Sequence, residues 1–412
     1  MNGKRHIAGI WWLPNNPSER WIGTLELAPD QSPELKFTVE TSSSLRSAQF
    51  LEVMHGRDQH GHPITLLILS PGDARYSGNL SEISFSAGYA ILGIELAKRE
   101  DFRVHSLKLH MQYLFGWLGR SGFESKRERK KEGVTINYIF PELLTYTLDQ
   151  ERSVKIISSL DTHDEAGYET GREQRFLEDA CLQFQSGQGF SFEESQELVN
   201  AIRHLLHFAT LEPVYPTAIK CRAHGHGEIE FYSGLIQEHK KSRSIDDRSL
   251  FQFSDIQADF GGFLEKWLIF LKKFDEAMGC YFTIIYHRLP DVVELICLTQ
   301  ALAAFHGIIN QSPGGYGLKN QIYELAQKHS ASVPGLFDDV CEFAKTVAIT
   351  RHYNAHFNPE DLAKGVVSGT SLDRLNEKLK ILFQMCVLSE MGIPPERFPR
   401  LRSQLATHIV EY

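Results

Sequence analysis

The chain has 412 residues, 42% hydrophobic and 23% charged, a composition that supports two or three packed domains and excludes a disordered, collagen-like or low-complexity protein. No run of eighteen apolar residues occurs, and the apolar stretch Ile7–Leu13 is followed by Pro14, so neither a membrane span nor a signal peptide is expected. Net charge is −9, from 43 basic against 52 acidic residues, which argues against a protein that coats itself with nucleic acid.

In chain order, Lys4–Leu13, Arg20–Leu27, Glu34–Glu40, Pro63–Leu69, Glu82–Tyr89, Val104–Phe115, Val134–Phe140 and Ser153–Leu160 are short runs rich in β-branched and aromatic residues. Gly, Pro, Asn and Ser clusters separate them, the pattern of a sandwich or barrel. Arg20–Leu27 shows the period of two, with Trp21, Gly23, Leu25 and Leu27 on one face and Ile22, Thr24 and Glu26 on the other. One helix is expected at Phe192–Phe208, with Leu198, Ile202, Leu205 and Leu206 at helical spacing. Two more strands follow, Thr217–Arg222 and Glu228–Tyr232.

Residues 238–249 contain a single large apolar side chain, too little to offset the entropy of ordering, so they read as a linker. Beyond it the period becomes 3.6. Phe260, Phe263, Leu264, Trp267, Leu271 and Phe274 form one stripe. Further helices are expected at Asp291–Asn310, Leu318–His329, Leu336–Tyr353, Leu372–Met391 and Glu396–Val410. The fold class is therefore α+β with two domains: a β-rich, sandwich- or barrel-like domain over 1–237, a linker over 238–256, and an all-α helical bundle over 257–412.

Chemistry concentrates in Ile349-Thr-Arg351-His352-Tyr353-Asn354-Ala355-His356-Phe-Asn-Pro359. The stripe Phe337, Val340, Cys341, Ala344, Val347, Ala348 continues onto Arg351, His352, Ala355 and His356, so a face that buries carbon turns cationic in its last turns. An unpaired guanidinium is costly to bury, which places this face in a cleft or a subunit groove. Pro359 disfavours helix at Asn358, so the helix should end near His356. An imidazole can take the proton of a ribose 2′-hydroxyl or give one to a leaving oxygen, while a guanidinium fork fits the phosphate between them.

Arg-x4-His alone is weak evidence. With 23 Arg and 18 His in the sequence, chance gives about one occurrence, and there are two. The second, Arg57 to His62, lies in a Gly-containing turn before a strand and reads as a solvated hairpin loop.

The Arg351–His356 segment, late in an all-helical domain, resembles the Arg-polar-x3-His motif of the HEPN ribonuclease superfamily. Gly9-Ile-Trp-Trp-Leu-Pro14, Trp21-Ile-Gly-Thr-Leu25 and His62-Pro-Ile-Thr-Leu66 are similar to the β-rich N-terminal domain of ApeA-type anti-phage proteins. The two similarities cover most of the chain, in the order of that family's architecture. The resemblance implies a C-terminal HEPN bundle that pairs as a homodimer, brings two motifs into one groove, and cleaves RNA without metal to leave a 2′,3′-cyclic phosphate. It also implies a role in abortive infection, with the β-rich domain coupling a phage-derived trigger to the nuclease.

Carried over by position, Arg351 would grip the scissile phosphate and His356 would be the general acid/base. His352 would hold the polar position after the Arg, and Asn354 would add a hydrogen bond to the substrate. The sequence departs from the family in one respect: Leu298–His306 carries no acidic residue to orient the Arg, which leaves Glu294 as the stand-in.

The remaining motifs have plainer readings. Cys221, His224 and His226 are of the right type for zinc but number only three, and Gly225 and Gly227 suggest a turn, so neither metal nor cofactor is expected. His204 and His207 read as surface or dipole-stabilising residues near a helix end. The run Lys126–Lys131 reads as a solvated loop. One of Trp11 and Trp12 should be core and the other a contact surface. The six cysteines, without a CxxC pair, read as reduced, buried thiols of a cytoplasmic protein.

Two functions follow from the sequence: an RNA endonuclease in a dimeric bundle governed by the β-domain, or a non-catalytic dimerisation or RNA-binding module. Histidine is mostly uncharged at neutral pH and a poor choice for merely gripping phosphate, which favours the first. From residue 257 onward 15 bases face 17 acids, net −2, so −7 falls on the N-terminal portion. The bundle is thus near neutral, and Arg397, Arg400 and Arg402 cluster late in it.

Overall fold

The computed structural model describes residues 4–40, 45, 50–77, 80–127, 134–167, 171–238, 249–311 and 316–403. The chain folds as two units, one of Met1–Arg203 with Val214–Ile245, the other of His204–Pro213 with Asp246–Tyr412.

In the first unit, alternation of apolar and polar residues produces a closed barrel. Strands β1 (Arg5–Leu13), β2 (Asn16–Leu27), β3 (Glu34–Glu40), β4 (Leu51–Asp58), β5 (Pro63–Ser77) and β6 (Leu80–Leu92) run in the order β6-β3-β2-β1-β4-β5, and β5 pairs back onto β6. Trp21, Leu25 and Leu27 of β2 point inward with Trp11, Leu35, Phe37, Met54, Leu66 and Phe85, as the period of two requires. Burial of each such side chain stabilises by roughly 1.5–3 kcal/mol. Trp11 is fully enclosed and its indole N–H donates to the Gly23 carbonyl at 3.3 Å. Room for that ring comes from Gly56 on β4, where an added Cβ would stand 2.3 Å from it.

The sheet continues from β6 through β14 (Glu228–Ser233), β13 (Pro216–Arg222), β7 (Val104–Met111), β12 (Gly171–Phe190), β11 (Arg152–Gly167) and β10 (Leu144–Thr147), every neighbour antiparallel. A separate hairpin joins β8 (Phe123–Arg127) to β9 (Val134–Tyr138). Helix α2 (Phe192–Thr210) starts at a capping box, in which the Ser191 hydroxyl accepts from the Glu194 N–H and the Glu194 carboxylate accepts from the Ser191 N–H. Phe192 then packs against Tyr89, Phe102 and Phe231.

Several expectations need correction. The run expected as one strand to Phe115 ends at Met111, because Tyr113 turns left-handed (φ 66°) and starts the short helix α1 (Leu114–Leu118). Trp12 is buried like Trp11, since His55 packs edge-on against it, so neither is a contact surface. The linker residues 239–248 lie outside the described residues, and past them Leu250, Phe251 and Phe253 are buried. Most of the run Lys126–Lys131 also lies outside the described residues.

The second unit is helical. Its elements are α3 (Phe253–Ile256), α4 (Phe260–Lys273), α5 (Asp275–Tyr286), α6 (Asp291–Asn310), α7 (Leu318–His329), α8 (Val340–His356) and α9 (Thr370–Met391). Helix α6 packs on α5 and α9, and α7 on α8. The stripe expected over Phe260–Phe274 forms α4 with Phe274 as its C-cap, while α5, which follows at Asp275, is a helix the expected elements did not include. Its Tyr-Phe-Thr-Ile-Ile-Tyr tail has strand propensity, but Tyr281, Phe282 and Ile284 are buried in the bundle and packing prevails. By length and composition α6 is apolar enough to cross a bilayer. Here it buries Leu295, Leu298, Leu302 and Phe305, and its buried His306 gives a ring N–H to Glu324 of α7 at 2.7 Å.

The helix expected over Glu396–Val410 is a 3-10 segment, Pro395–Ser403, because Pro399 supplies no N–H to an α ladder; 404–410 lie outside the described residues. His204 and His207 are not surface residues. His207 is buried and His204 stacks on Phe282 with ring centroids 3.5 Å apart, both consequences of an aromatic-rich core. Nor are all cysteines buried, for Cys341 is exposed on the first turn of α8.

Candidate active site

Helix α8 begins at Val340, later than the expected Leu336, where Asp339 caps it by accepting from the N–H groups of Cys341 (2.8 Å) and Glu342 (3.0 Å). Phe343, Ala344, Val347 and Thr350 form its buried stripe. Arg351 and Asn354 border that stripe half-buried, while His352 and His356 are exposed. One turn apart, the two imidazoles are in contact with centroids 4.8 Å apart and ring planes tilted by 50°.

The helix stops at His356 because Phe357 takes a left-handed conformation (φ 51°), and Asn358 then caps a 3-10 turn with Pro359 at its start. This reversal brings Asp361 back to α8. Its carboxylate is buried, with Oδ2 2.6 Å from His352 Nδ1 and Oδ1 2.9 Å from Lys364 Nζ. Lys364 first and His352 second hold the Asp361 carboxyl below the usual carboxylate range. The same pairing pushes the Lys364 ammonium up.

Arg351 makes no hydrogen bond or ion pair among the described residues. Asn354 turns one amide N–H back to the Thr350 carbonyl at 2.8 Å, which leaves its oxygen and its second N–H as usable groups. Thus Arg351, His352, Asn354 and His356 share the last two turns of α8, and the two imidazoles are in contact. A guanidinium and two imidazoles at one exposed helix end can contact phosphate and exchange protons.

Glu294 is engaged elsewhere: it pairs with Lys380 at 2.8 Å, and Lys380 also pairs with Glu377. The late arginines are committed too, Arg397 to Asp255, Arg400 to the Ser249 carbonyl and Arg402 to the Pro334 carbonyl. In the second Arg-x4-His segment, β4 ends at Asp58 and β5 starts at Pro63. There Asp58 accepts from the N–H groups of His60 and His62, as a hairpin loop does. Cys221 is buried on β13 with its thiol pushed up to about 12, and His224 packs at a tilt against His105.

Sequence reasoning missed Asp361 and Lys364. Their only signal was Asn358-Pro359, a cap followed by a rigid start, which announces a turn that carries acidic residues back toward the helix.

Residues 6–267 match the family model described as ApeA N-terminal domain 1, and residues 294–397, which contain the whole α8 site, match the one described as Apea-like HEPN. Neither a curated protein nor a solved structure matches the chain.

Proposed function

The chain belongs to the ApeA family, and from that premise we propose that it is a metal-independent RNA endonuclease of anti-phage abortive infection, acting through Arg351 and His356 at a HEPN dimer interface. The Apea-like HEPN match supports a ribonuclease-like role in defence. The observation that carries the finer reading is the pair of imidazoles 4.8 Å apart at the exposed end of α8, with Arg351, which has no partner among the described residues, on the same two turns. Arg351 holds the scissile phosphate with its fork of donors. His356 moves protons as general acid/base and His352 lies beside it, while the Asn354 oxygen accepts from a ribose hydroxyl. A second copy of the bundle supplies the other wall of the groove, and the β-rich unit answers to a phage-derived trigger.

The test is incubation of the purified full chain with total RNA in EDTA, beside His356→Ala and Arg351→Ala. Each substitution should lower cleavage by about a hundredfold or more. Cleavage that survives both substitutions defeats the assignment. A parent that binds RNA under every trigger tried and never cuts it would instead be a non-catalytic RNA-binding module. A monomeric mass at micromolar concentration would defeat the composite groove.

A further inference from the structure

We infer that Asp361 is a positioning residue that fixes His352 in the tautomer with a bare outward Nε2, making His352 the base and leaving His356 as the acid. This rests on the nuclease reading above and deepens it. An ionised carboxylate has no proton to donate, so at 2.6 Å His352 Nδ1 must carry one and point it at Asp361 Oδ2. The lone pair then sits on Nε2. Asp361 is itself held: it is buried, and Lys364 occupies its other oxygen at 2.9 Å. His356, one turn on and with its ring 4.8 Å from that of His352, has no such carboxylate among the described residues.

The step balances on these groups. The 2′-hydroxyl proton passes to His352 Nε2 as the O2′–P bond forms. The P–O5′ bond breaks, and the departing O5′ takes a proton from the His356 imidazolium. A 2′,3′-cyclic phosphate and a 5′-hydroxyl result, and water returns the two histidines to their starting states.

The discriminating change is Asp361→Asn, equal in size. Lys364 needs an acceptor, so the amide oxygen must face it and the amide N–H₂ must face His352 Nδ1. That forces the His352 proton onto Nε2, the inverted tautomer. A second change, Lys364→Met, releases the amide to turn its oxygen to His352 again. We expect Asp361→Asn to lower kcat by about tenfold or more with KM within about twofold, and the double variant to regain much of the loss. A second readout does not depend on cleavage. Diethyl pyrocarbonate acylates a bare, exposed imidazole nitrogen, so site-resolved mass spectrometry should show His352 labelling slowed about threefold or more in Asp361→Asn and restored in the double variant, with His356 unchanged.

Unaltered cleavage and unaltered His352 labelling in Asp361→Asn would overturn the inference, as would a double variant no better than the single. A parent that cuts no RNA sinks the nuclease reading alone, and the labelling pattern then decides the Asp361–His352 pairing by itself.

Discussion

His207 Nε2 and the Tyr281 hydroxyl stand 3.0 Å apart inside the helical unit, in a hydrogen-bond chain that defines every proton. The Glu212 carbonyl can only accept, so His207 Nδ1 donates to it at 2.9 Å. Nε2 then accepts from Tyr281 O–H, and the Tyr281 oxygen accepts from the Gln384 amide at 2.7 Å. Burial pulls His207 down from 6.5 to about 4.

The fold therefore keeps His207 neutral, and acid should loosen the helical unit. The unfolded chain binds a proton below its ordinary pKa of 6.5 while the folded one waits until about 4, so this stability is complete above 6.5 and is lost as pH falls between the two. The loss amounts to about 3 kcal/mol, and buried His329, also held down at about 4, acts in the same direction. Urea denaturation of the parent should show the midpoint falling from about pH 7 to about pH 4.5, more steeply than in His207→Gln. A midpoint that stays level across that range would rule out this linkage.

The barrel should be equally sensitive at Gly56. A Cβ there would stand 2.3–2.4 Å from the Trp11 ring, which is fully buried and cannot swing aside. Gly56→Ala should cost about 1–3 kcal/mol by overpacking. Gly187→Ala meets nothing within 4 Å and is the control, expected to stay within about 0.5 kcal/mol. Thermal melts of both variants decide it, and equal shifts would show that the ring does not set the requirement.

These two sites show what the sequence could and could not convey. β2 was legible because Trp21, Leu25 and Leu27 alternate strictly with exposed positions. β4 was not, because Gly56, His55 and Arg57 break the alternation, Gly56 making room for the opposing Trp11 ring and His55 packing against Trp12. α5 was hidden by the strand-like Tyr281–Tyr286, and β12 by a run of polar side chains. At the site, the His352–His356 pair could be read from spacing, since four residues apart on a helix means adjacency. Asp361 could not, because its proximity to His352 arises from the left-handed turn at Phe357.

Thiol reactivity should separate the cysteines. Cys341 is exposed, whereas burial pushes the Cys181 thiol up to about 11 and those of Cys221 and Cys386 higher still. Iodoacetamide on the native chain should alkylate Cys341 first, with Cys181, Cys221 and Cys386 labelled only after denaturation. Peptide mass spectrometry reads this directly, and early labelling of Cys221 would mean that β13 opens in the native state.

Lys380 lies between Glu294 and Glu377, at 2.8 Å from each, and none of the three side chains is more than 17% exposed. Burial raises the Glu294 pKa, and Lys380 only partly opposes it. Burial would lower Lys380, but Glu377 and Glu294 outweigh it and push the ammonium up. Removing the cation strands two buried carboxylates, so Lys380→Met should destabilise the bundle by about 3–5 kcal/mol. Adding Glu294→Gln and Glu377→Gln should recover most of that, since the fault is uncompensated charge rather than lost packing. Urea titration of the single and triple variants separates the two causes: a triple variant no more stable than Lys380→Met would assign the loss to packing. Glu294→Gln alone should leave RNA cleavage intact, because its carboxylate serves Lys380. A fall in kcat without a fall in stability would instead tie Glu294 to Arg351.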